Sequence, residues 1–557
     1  MTDLILTAST IVTMDSARTR AKAVAVSDGK IVAVGSLADC QAALPNAEVR
    51  DTKAAALLPG FIESHSHPVV SGLSTQAPAV SIQPWDAKDW DAIVDVFKKT
   101  MATTGDHPMI FNGFDALLHG RPAPKGAELD EIFGDRIAIV VDNSGHGVYF
   151  TTSLTKRNGW DATPPADPVG SSFGRNADGS LDGQGFELPA VMMVAQPLMA
   201  ELGGNPLVSA MGFYRVLAEG GITSATEHTY NNQLLKAYIA IGSMPNNPLR
   251  ISLYHVSIED GCDQPIASPL PEEVLVKQGI KLWADGSPWM GNIAISFPYL
   301  KTEATTNAGI DGSKAGAVAM NYSREQLDAI LDKYASSGWQ MSFHVNGDMG
   351  LDIVLGTDHR WRVEHVGAGR RDQFKRAGEM GVHISMSPFQ FIYWGDLLDG
   401  QMFDSEYGAS WQDFRGAFDA GVPVSFHNDG SVSPPLPLLN IQAAVTRTTI
   451  NGNVHGLEHA ISIDEALCAE TINAAKLIKR DHLVGSIEVG KLADFVELAA
   501  DPSAVDPHKI YSECTVLGTW MGGNRIDLEA FMAAASAIPA AEHADLHHAA
   551  TEHGHKC

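Results

Sequence analysis

From residue 222 onward, short β-rich apolar runs alternate with helix-patterned segments. That order points to a parallel sheet, because each return to a parallel neighbour needs a crossover, usually a helix. The runs fall at 222–226, 250–256, 279–284, 340–344, 362–365, 382–386 and 422–426, and one at 56–62 precedes them. Eight parallel strands with helices between them predict a (β/α)8 TIM barrel, whose reactive side chains sit at the C-terminal ends of the strands.

About 150 residues separate the first two runs, too many for a plain crossover. An inserted subdomain over roughly 75–205 is expected there, capping the catalytic face. Its 162–185 stretch is rich in Pro, Gly and Asp and reads as an irregular excursion. Short strands also occupy both chain ends. Those at 23–26 and 30–34 flank Ser27-Asp28-Gly29, which predicts a hairpin, and the segments 484–498 and 515–520 have the same character. They most simply combine into one β-domain, 1–57 plus 480–535, with the barrel over 58–479 between them.

Composition narrows the class of partner. The chain has 557 residues, 45% hydrophobic and 19% charged, as a globular protein does. A formal net charge of -27 argues against binding nucleic-acid phosphates or anionic lipid. No run approaches the roughly 18 uninterrupted apolar residues of a membrane span. Cys40, Cys262, Cys468, Cys514 and Cys557 form no Cys-x-x-Cys pair, and the N-terminus lacks signal-peptide character, so a reducing, cytoplasmic setting is expected. After residue 535 comes an Ala- and His-rich tail (His543, His547, His548, His553, His555). It reads as a frayed, disordered end or as a metal buffer.

The chemistry concentrates at strand ends. His65 and His67 close the first run one residue apart, and residues i and i+2 of a strand share a face, so both imidazoles can converge on one ion. Lys281 lies in the fourth run, His344 and His365 end the fifth and sixth, and Asp429 lies just past the eighth. Each has a plain alternative: a hydrogen-bonded core histidine, a lysine snorkelling from the rim, an aspartate in an ordinary turn. Six such residues at the ends of barrel strands point instead to a metal centre.

The chain resembles the amidohydrolase superfamily, in its amidohydrolase 3 or YtcJ-like branch. The motifs are Leu58-Pro59-Gly60-Phe61-Ile62-Glu63-Ser64-His65-Ser66-His67, Gly221-Ile222-Thr223-Ser224, Lys281 to Ser287, His344-Val345-Asn346-Gly347-Asp348, Arg362-Val363-Glu364-His365, Asn428-Asp429-Gly430 and Gly485 to Phe495. The resemblance implies a distorted (β/α)8 barrel with a β-sandwich built from both termini. It also implies one or two divalent ions, most often Zn2+. By its pattern His65 and His67 bind one ion beside Asp429, His344 and His365 bind the second, and Lys281 stands where a carboxylated lysine bridges two metals. An unmodified Lys281 would imply one ion. The family's Ser-Asp pair is here Asn428-Asp429, preceded by His427.

The expected chemistry follows from charge. A metal-bound water has its pKa lowered toward about 7, and the metal stabilises a developing oxyanion. Asp429 then serves as the general base and acid. His146, in Asn143-Ser144-Gly145-His146-Gly147, resembles a family segment that approaches substrate from the insertion. Trp289 follows the Asp285-Gly286-Ser287 loop, and Phe389, Phe391, Tyr393 and Trp394 cluster after the seventh strand. Of these, His146, Trp289, Phe389 and Tyr393 are the substrate-binding candidates, although such aromatics are more often core; His228 and His383 are assigned mostly to structure.

The leading function is hydrolysis of a non-peptide C–N bond in a small amide, with an N-acyl or N-formyl compound the best guess by analogy with formamide deformylases. A deaminase, a cyclic-amide hydrolase or a lactone or ester hydrolase would use the same centre. A non-catalytic metal-binding protein on this scaffold is the reading from another class. The substrate is a small molecule, and a homodimer is the default assembly.

Overall fold

In a computed structural model, the structure describes residues 3–535 except 169, 170, 200, 336 and 358–360. The His-rich tail lies outside the described residues. Eight barrel strands run in sequence order around one sheet: β1 Phe61–Glu63, β2 Ile222–Tyr230, β3 Arg250–Val256, β4 Leu275–Trp283, β5 Gln340–Val345, β6 Arg362–His365, β7 His383–Met386 and β8 Val424–Phe426. Each pairs in parallel with the next. All eight are almost wholly buried, as expected of strands covered by helices on one side and filled with side chains on the other.

Among the described residues, no backbone ladder joins β8 back to β1. Side chains and loop backbone close that seam instead. Glu63 accepts hydrogen bonds from the Asn428 backbone N–H (2.8 Å) and side-chain amide (2.6 Å), Ser64 Oγ donates to the Phe426 carbonyl (2.8 Å), and the Asp429 N–H donates to the His65 carbonyl (3.2 Å).

The 56–62 run, expected to be one strand, is two. Ala56–Pro59 belongs to a different sheet and the barrel begins at Phe61, so the chain changes sheets at Gly60. Only glycine fits there, because a Cβ would collide with the hydroxyl and methyl of Thr223 on β2. Thr223 is buried and β-branched, so it cannot easily rotate away. Gly60→Ala should lower stability by about 1–3 kcal/mol, the usual cost of overpacking, visible as a reduced thermal midpoint. An unchanged midpoint would show that the seam yields.

The other sheet draws on both chain ends. Its path runs Asn524–Arg525, Val516–Met521, Phe495–Leu498, Ala56–Pro59, Leu4–Val12, Arg20–Ser27 and Lys30–Gly35, with Glu48–Asp51 beside Leu4–Val12. The expected hairpin is present: Ser27 pairs with Lys30, and Asp28 (φ 49°) and Gly29 (φ 76°) both take the positive φ that a two-residue type I′ turn requires. Arg250, at the start of β3, forms a buried two-point ion pair with Asp494 (2.6 and 3.0 Å), tying this sheet to the barrel.

Between β1 and β2 lies a six-stranded sheet, ordered Ser172–Arg175, Leu181–Phe186, Gly147–Phe150, Ala138–Asp142, Met109–Phe114 and Val80–Ser81. The 162–185 segment is therefore less irregular than its composition implied. Ser172–Arg175 and Leu181–Phe186 pair antiparallel across a turn where Gly179 supplies φ 86° and Asp178 caps Ser180. Its Pro, Gly and Asp residues mark the turns, while Phe173 and Leu181 supply the buried anchors. The sheet reaches the loop after β8, where Gln83 donates to the Ser431 carbonyl (2.7 Å) and Asn143 to the Val432 carbonyl (3.1 Å). No helix among the described residues is long and apolar enough to cross a membrane.

Candidate active site

Strand geometry brings the six residues singled out at strand ends to one rim of the barrel. His65 and His67 follow β1, Lys281 lies near the end of β4, His344 is the penultimate residue of β5, His365 ends β6, and Asp429 follows β8. Asp429 is the meeting point. Its Oδ1 lies 3.3 Å from His67 Nε2 and 3.5 Å from His65 Nε2, and its Oδ2 lies 3.9 Å from His365 Nδ1. Lys281 Nζ is 3.4 Å from His65 Nε2, and the His344 and His365 rings approach to 4.5 Å between centroids. His365 (φ 71°) and Asp429 (φ 60°) both sit in the left-handed region, uncommon for residues with a side chain and typical of positions held by their surroundings for a task.

A second layer orients these groups. The His65 Nδ1–H donates to Glu364 (2.9 Å), so its ring presents a bare Nε2 toward Asp429 and Lys281; the His67 Nδ1–H donates to Glu227 (3.2 Å) and its Nε2 faces Asp429. His344 Nε2 donates to the Gly286 carbonyl (2.9 Å), leaving Nδ1 as its bare nitrogen. Glu364 is itself clamped by Arg362 in a buried bidentate pair (2.5 and 2.9 Å) and by Ser342 (2.8 Å). Glu227, also buried, accepts from the Tyr238 hydroxyl. Carboxylate–histidine pairs of this kind fix ring orientation and raise basicity at metal centres. Sequence reasoning missed Glu227. Its only signal was a charged residue between two polar ones at the end of a buried strand, in Thr226-Glu227-His228. His228, assigned mostly to structure, stacks between His65 (4.0 Å) and Tyr254 (4.4 Å), but one ligand atom from each of His228, His65 and Glu364 falls within 4.8 Å of the others, and its Nε2 is buried with no hydrogen-bond partner among the described residues.

The electrostatics suit a cation. Burial, reinforced by Lys281, pushes His65 far below the ordinary histidine range and His344 down to about 3. Burial likewise lowers His365, with help from His344, and brings His427 down to about 4. These imidazoles are neutral at pH 7, the form that ligates metals. His67 is the exception: burial opposes its charge, but hydrogen bonds to Asp429 and Glu227 raise it to about 9. Burial lowers Lys281 to about 8 despite Glu364 and Asp429. One nitrogen or oxygen from each of His65, His365 and Asp429 falls within 4.8 Å of the others, and His365 Nε2 is buried without a hydrogen-bond partner among the described residues. Neutral imidazoles, an ionised carboxylate and an orphaned nitrogen together fit a divalent ion.

The outer candidates divide. His146 Nδ1 donates to Glu187 (2.8 Å), and its ring acts electrostatically on both Asp429 and His344, so the inserted sheet does reach the rim. Glu187 also accepts from Asn292 (3.4 Å), which with Gly286 lines a cavity of about 330 Å³. Trp289 stacks on Trp394 (4.5 Å), and Phe389 and Tyr393 stack on each other (4.9 Å) against Trp85. Trp394 donates to Asp115 of the inserted sheet (3.1 Å). Phe389 and Trp394 are fully buried and Trp289 nearly so, in an apolar cluster that also takes in Leu117 and Trp85 of the insertion and Ile293, Phe297 and Phe403 of the barrel loops.

A parallel eight-stranded barrel with imidazoles, a lysine and an aspartate gathered at the C-terminal ends of its strands defines a hydrolase that works with a divalent metal. The comparison with known proteins names the group: residues 48–527 match the Amidohydrolase family, and the chain belongs to it. A short stretch, 23–47, matches an imidazolonepropionase-like composite domain found in bacteria. The N-substituted formamide deformylase of Arthrobacter pascens is 25% identical over 94% of this chain and 98% of its own. Protein LONG AFTER FAR-RED 3 of Arabidopsis thaliana is 23% identical over 94% and 91%. The crystal structure of an uncharacterised metal-dependent hydrolase from Pyrococcus horikoshii superimposes with a TM-score of 0.70, at 22% identity, over 91% of this chain and 99% of that one.

Proposed function

We propose that the protein hydrolyses a non-peptide C–N bond of a small N-acyl or N-formyl compound at this rim, with Asp429 as the proton carrier. The observation that carries the reading is the convergence of His65 and His67 Nε2 on Asp429 Oδ1 at 3.5 and 3.3 Å, with a ligand atom of His365 within 4.8 Å of those of His65 and Asp429. In this reading His65, His67 and Asp429 hold one divalent ion, expected to be Zn2+, and His344 and His365 hold a second, with Lys281 between them. When bound, the metal acidifies water and polarises the substrate carbonyl. Asp429, ionised at neutral pH because its hydrogen bond to His67 offsets its burial, accepts the proton of the attacking water and returns it to the leaving nitrogen. Glu364 and Glu227 hold the His65 and His67 rings in place while this happens. His146, oriented by Glu187, approaches from the insertion and binds the substrate. The identity of the bond rests on the formamide deformylase relative.

Lys281 decides the metal count. Burial lowers its amine to about 8, so a fraction is neutral at pH 7, and the neutral amine can add carbon dioxide and give up a proton to become a carbamate, whose oxygens would suit a shared ligand. Elemental analysis of wild-type protein and Lys281→Ala tests this directly. About two ions per chain, falling in Lys281→Ala, is the expected result for a bridged two-metal site. One ion, insensitive to Lys281, would leave an unmodified lysine and a mononuclear site. Incubation with N-formyl and N-acyl amines should then release the free amine and the acid; release of ammonia would mark a deaminase. Absence of bound metal, with no activity after reconstitution, would sink the catalytic reading.

A further inference from the structure

His427 is a further ionisable group at the rim, and the proposed roles leave it unused. It stands at the end of β8, fully buried, with Nε2 3.1 Å from His365 Nδ1 and Nδ1 2.7 Å from Ser385 Oγ. Ser385 Oγ is 2.8 Å from Ser64 Oγ, and Ser64 Oγ is 2.8 Å from the Phe426 carbonyl and 3.0 Å from Ser425 Oγ. All three serines are fully buried on β7, on β8 and just after β1, at the seam where the barrel lacks a ladder.

The chain of hydrogen bonds has a single consistent direction. A carbonyl oxygen only accepts, so the one Ser64 proton goes to Phe426. Ser64 then accepts from Ser385, which spends its only proton there. Ser385 must therefore accept from His427 Nδ1–H. A neutral His427 with its proton on Nδ1 has a bare Nε2, which accepts from His365 Nδ1–H. A neutral His365 with its proton on Nδ1 has a bare Nε2, the buried nitrogen that finds no partner among the described residues.

We infer that His427, Ser385 and Ser64 are positioning residues whose hydrogen-bond chain, anchored on the Phe426 carbonyl, fixes His365 in the tautomer that offers Nε2 to a metal ion. Without the anchor the chain could reverse: His427 Nε2–H would donate to His365 Nδ1, His365 would carry its proton on Nε2, and that nitrogen would be unable to ligate. His427 itself is then excluded as a ligand through Nε2, since that lone pair is engaged by His365. The inference rests on the metal centre proposed above, but the tautomer can be measured without metal.

The test uses metal-free, 15N-histidine-labelled full-length protein. Long-range proton–nitrogen correlation spectra distinguish a protonated from a bare ring nitrogen, and the His365 signals are identified by their loss in His365→Gln. The expected result is a protonated Nδ1 and a bare Nε2 on His365. A protonated Nε2 would overturn the inference, whether or not the protein binds metal. In parallel, zinc affinity is measured for Ser385→Ala and Ser385→Thr. Ser385→Ala should weaken binding by about 10- to 100-fold, the usual effect of losing an outer-layer partner. Ser385→Thr, which keeps the hydroxyl, should restore it. Wild-type affinity in a folded Ser385→Ala would overturn the inference too, and a metal-binding defect in Ser385→Thr equal to that of alanine would assign the effect to packing.

Discussion

Replacing Asp429 by asparagine should lower kcat by about 10²- to 10⁴-fold, the range that a positioned proton carrier contributes, while leaving most of the bound metal in place. The substitution separates charge from shape. Asp429 occupies the left-handed region at φ 60°, and asparagine is one of the few residues that tolerates it, so the backbone at the β8 rim need not move. Asparagine keeps an oxygen for a metal but has no carboxylate to carry a proton. Steady-state kinetics with elemental analysis of the same preparations read both effects. If metal content falls in step with kcat, Asp429 acts only as a ligand, and the proton must travel by another group. The companion Asp429→Ala should lose metal as well, since it removes the oxygens that His65, His67 and His365 surround.

Glu364→Gln should be the most destabilising single change at the rim. Glu364 neutralises Arg362, and both are fully buried. Arg362 has further partners in the Tyr254 hydroxyl (2.9 Å) and the Ser64 carbonyl (2.7 Å), but neither carries charge. Leaving a buried charge unpaired costs about 3–5 kcal/mol. Denaturant titration should show a loss of that order, and zinc affinity should fall as well, because His65 Nδ1 loses its carboxylate. The pH dependence has a definite sign. Burial alone would raise the Glu364 carboxyl, but Arg362 and His228 bring it down to about 2 from an ordinary 4.5. A carboxyl depressed on folding stabilises the protein fully above the unfolded value, and that contribution is lost as pH falls through the folded one. Wild type should thus lose stability between about pH 4.5 and 2, with the Glu364→Gln variant lacking that component. A variant as stable as wild type at pH 7 would mean that water or backbone already compensates Arg362.

Much of the rim was legible in the sequence because strand periodicity is rigid. The His65-x-His67 spacing fixes two rings on one face, and a residue at the end of an apolar run in a barrel has few other places to go. The rest depended on neighbours far apart in the chain. Glu227 lies in the second strand, and nothing local distinguishes a carboxylate that orients His67 from one that faces a helix. His427 does act electrostatically on Asp429, as its place in the chain implied, but its hydrogen bonds to His365 and Ser385 were not legible. The change of sheets at Gly60 was hidden because an apolar run of seven residues reads alike whether it feeds one sheet or two. The aromatic residues after β7 illustrate the opposite limit. Their density was visible, but whether Phe389 faces a ligand or Trp85 depends on how the insertion packs.

The sheet shared by both chain ends also bears on how the protein is made. Ala56–Pro59 pairs on one side with Leu4–Val12 and on the other with Phe495–Leu498. During synthesis the first neighbour is already present, and the second emerges only after every barrel strand has been translated. Until then the nascent chain carries an apolar edge with open hydrogen-bonding groups, the kind of template that other strands can join. Phe495–Leu498 is thus the piece that covers this edge, so premature termination anywhere within the barrel should leave an aggregation-prone product rather than a smaller soluble protein.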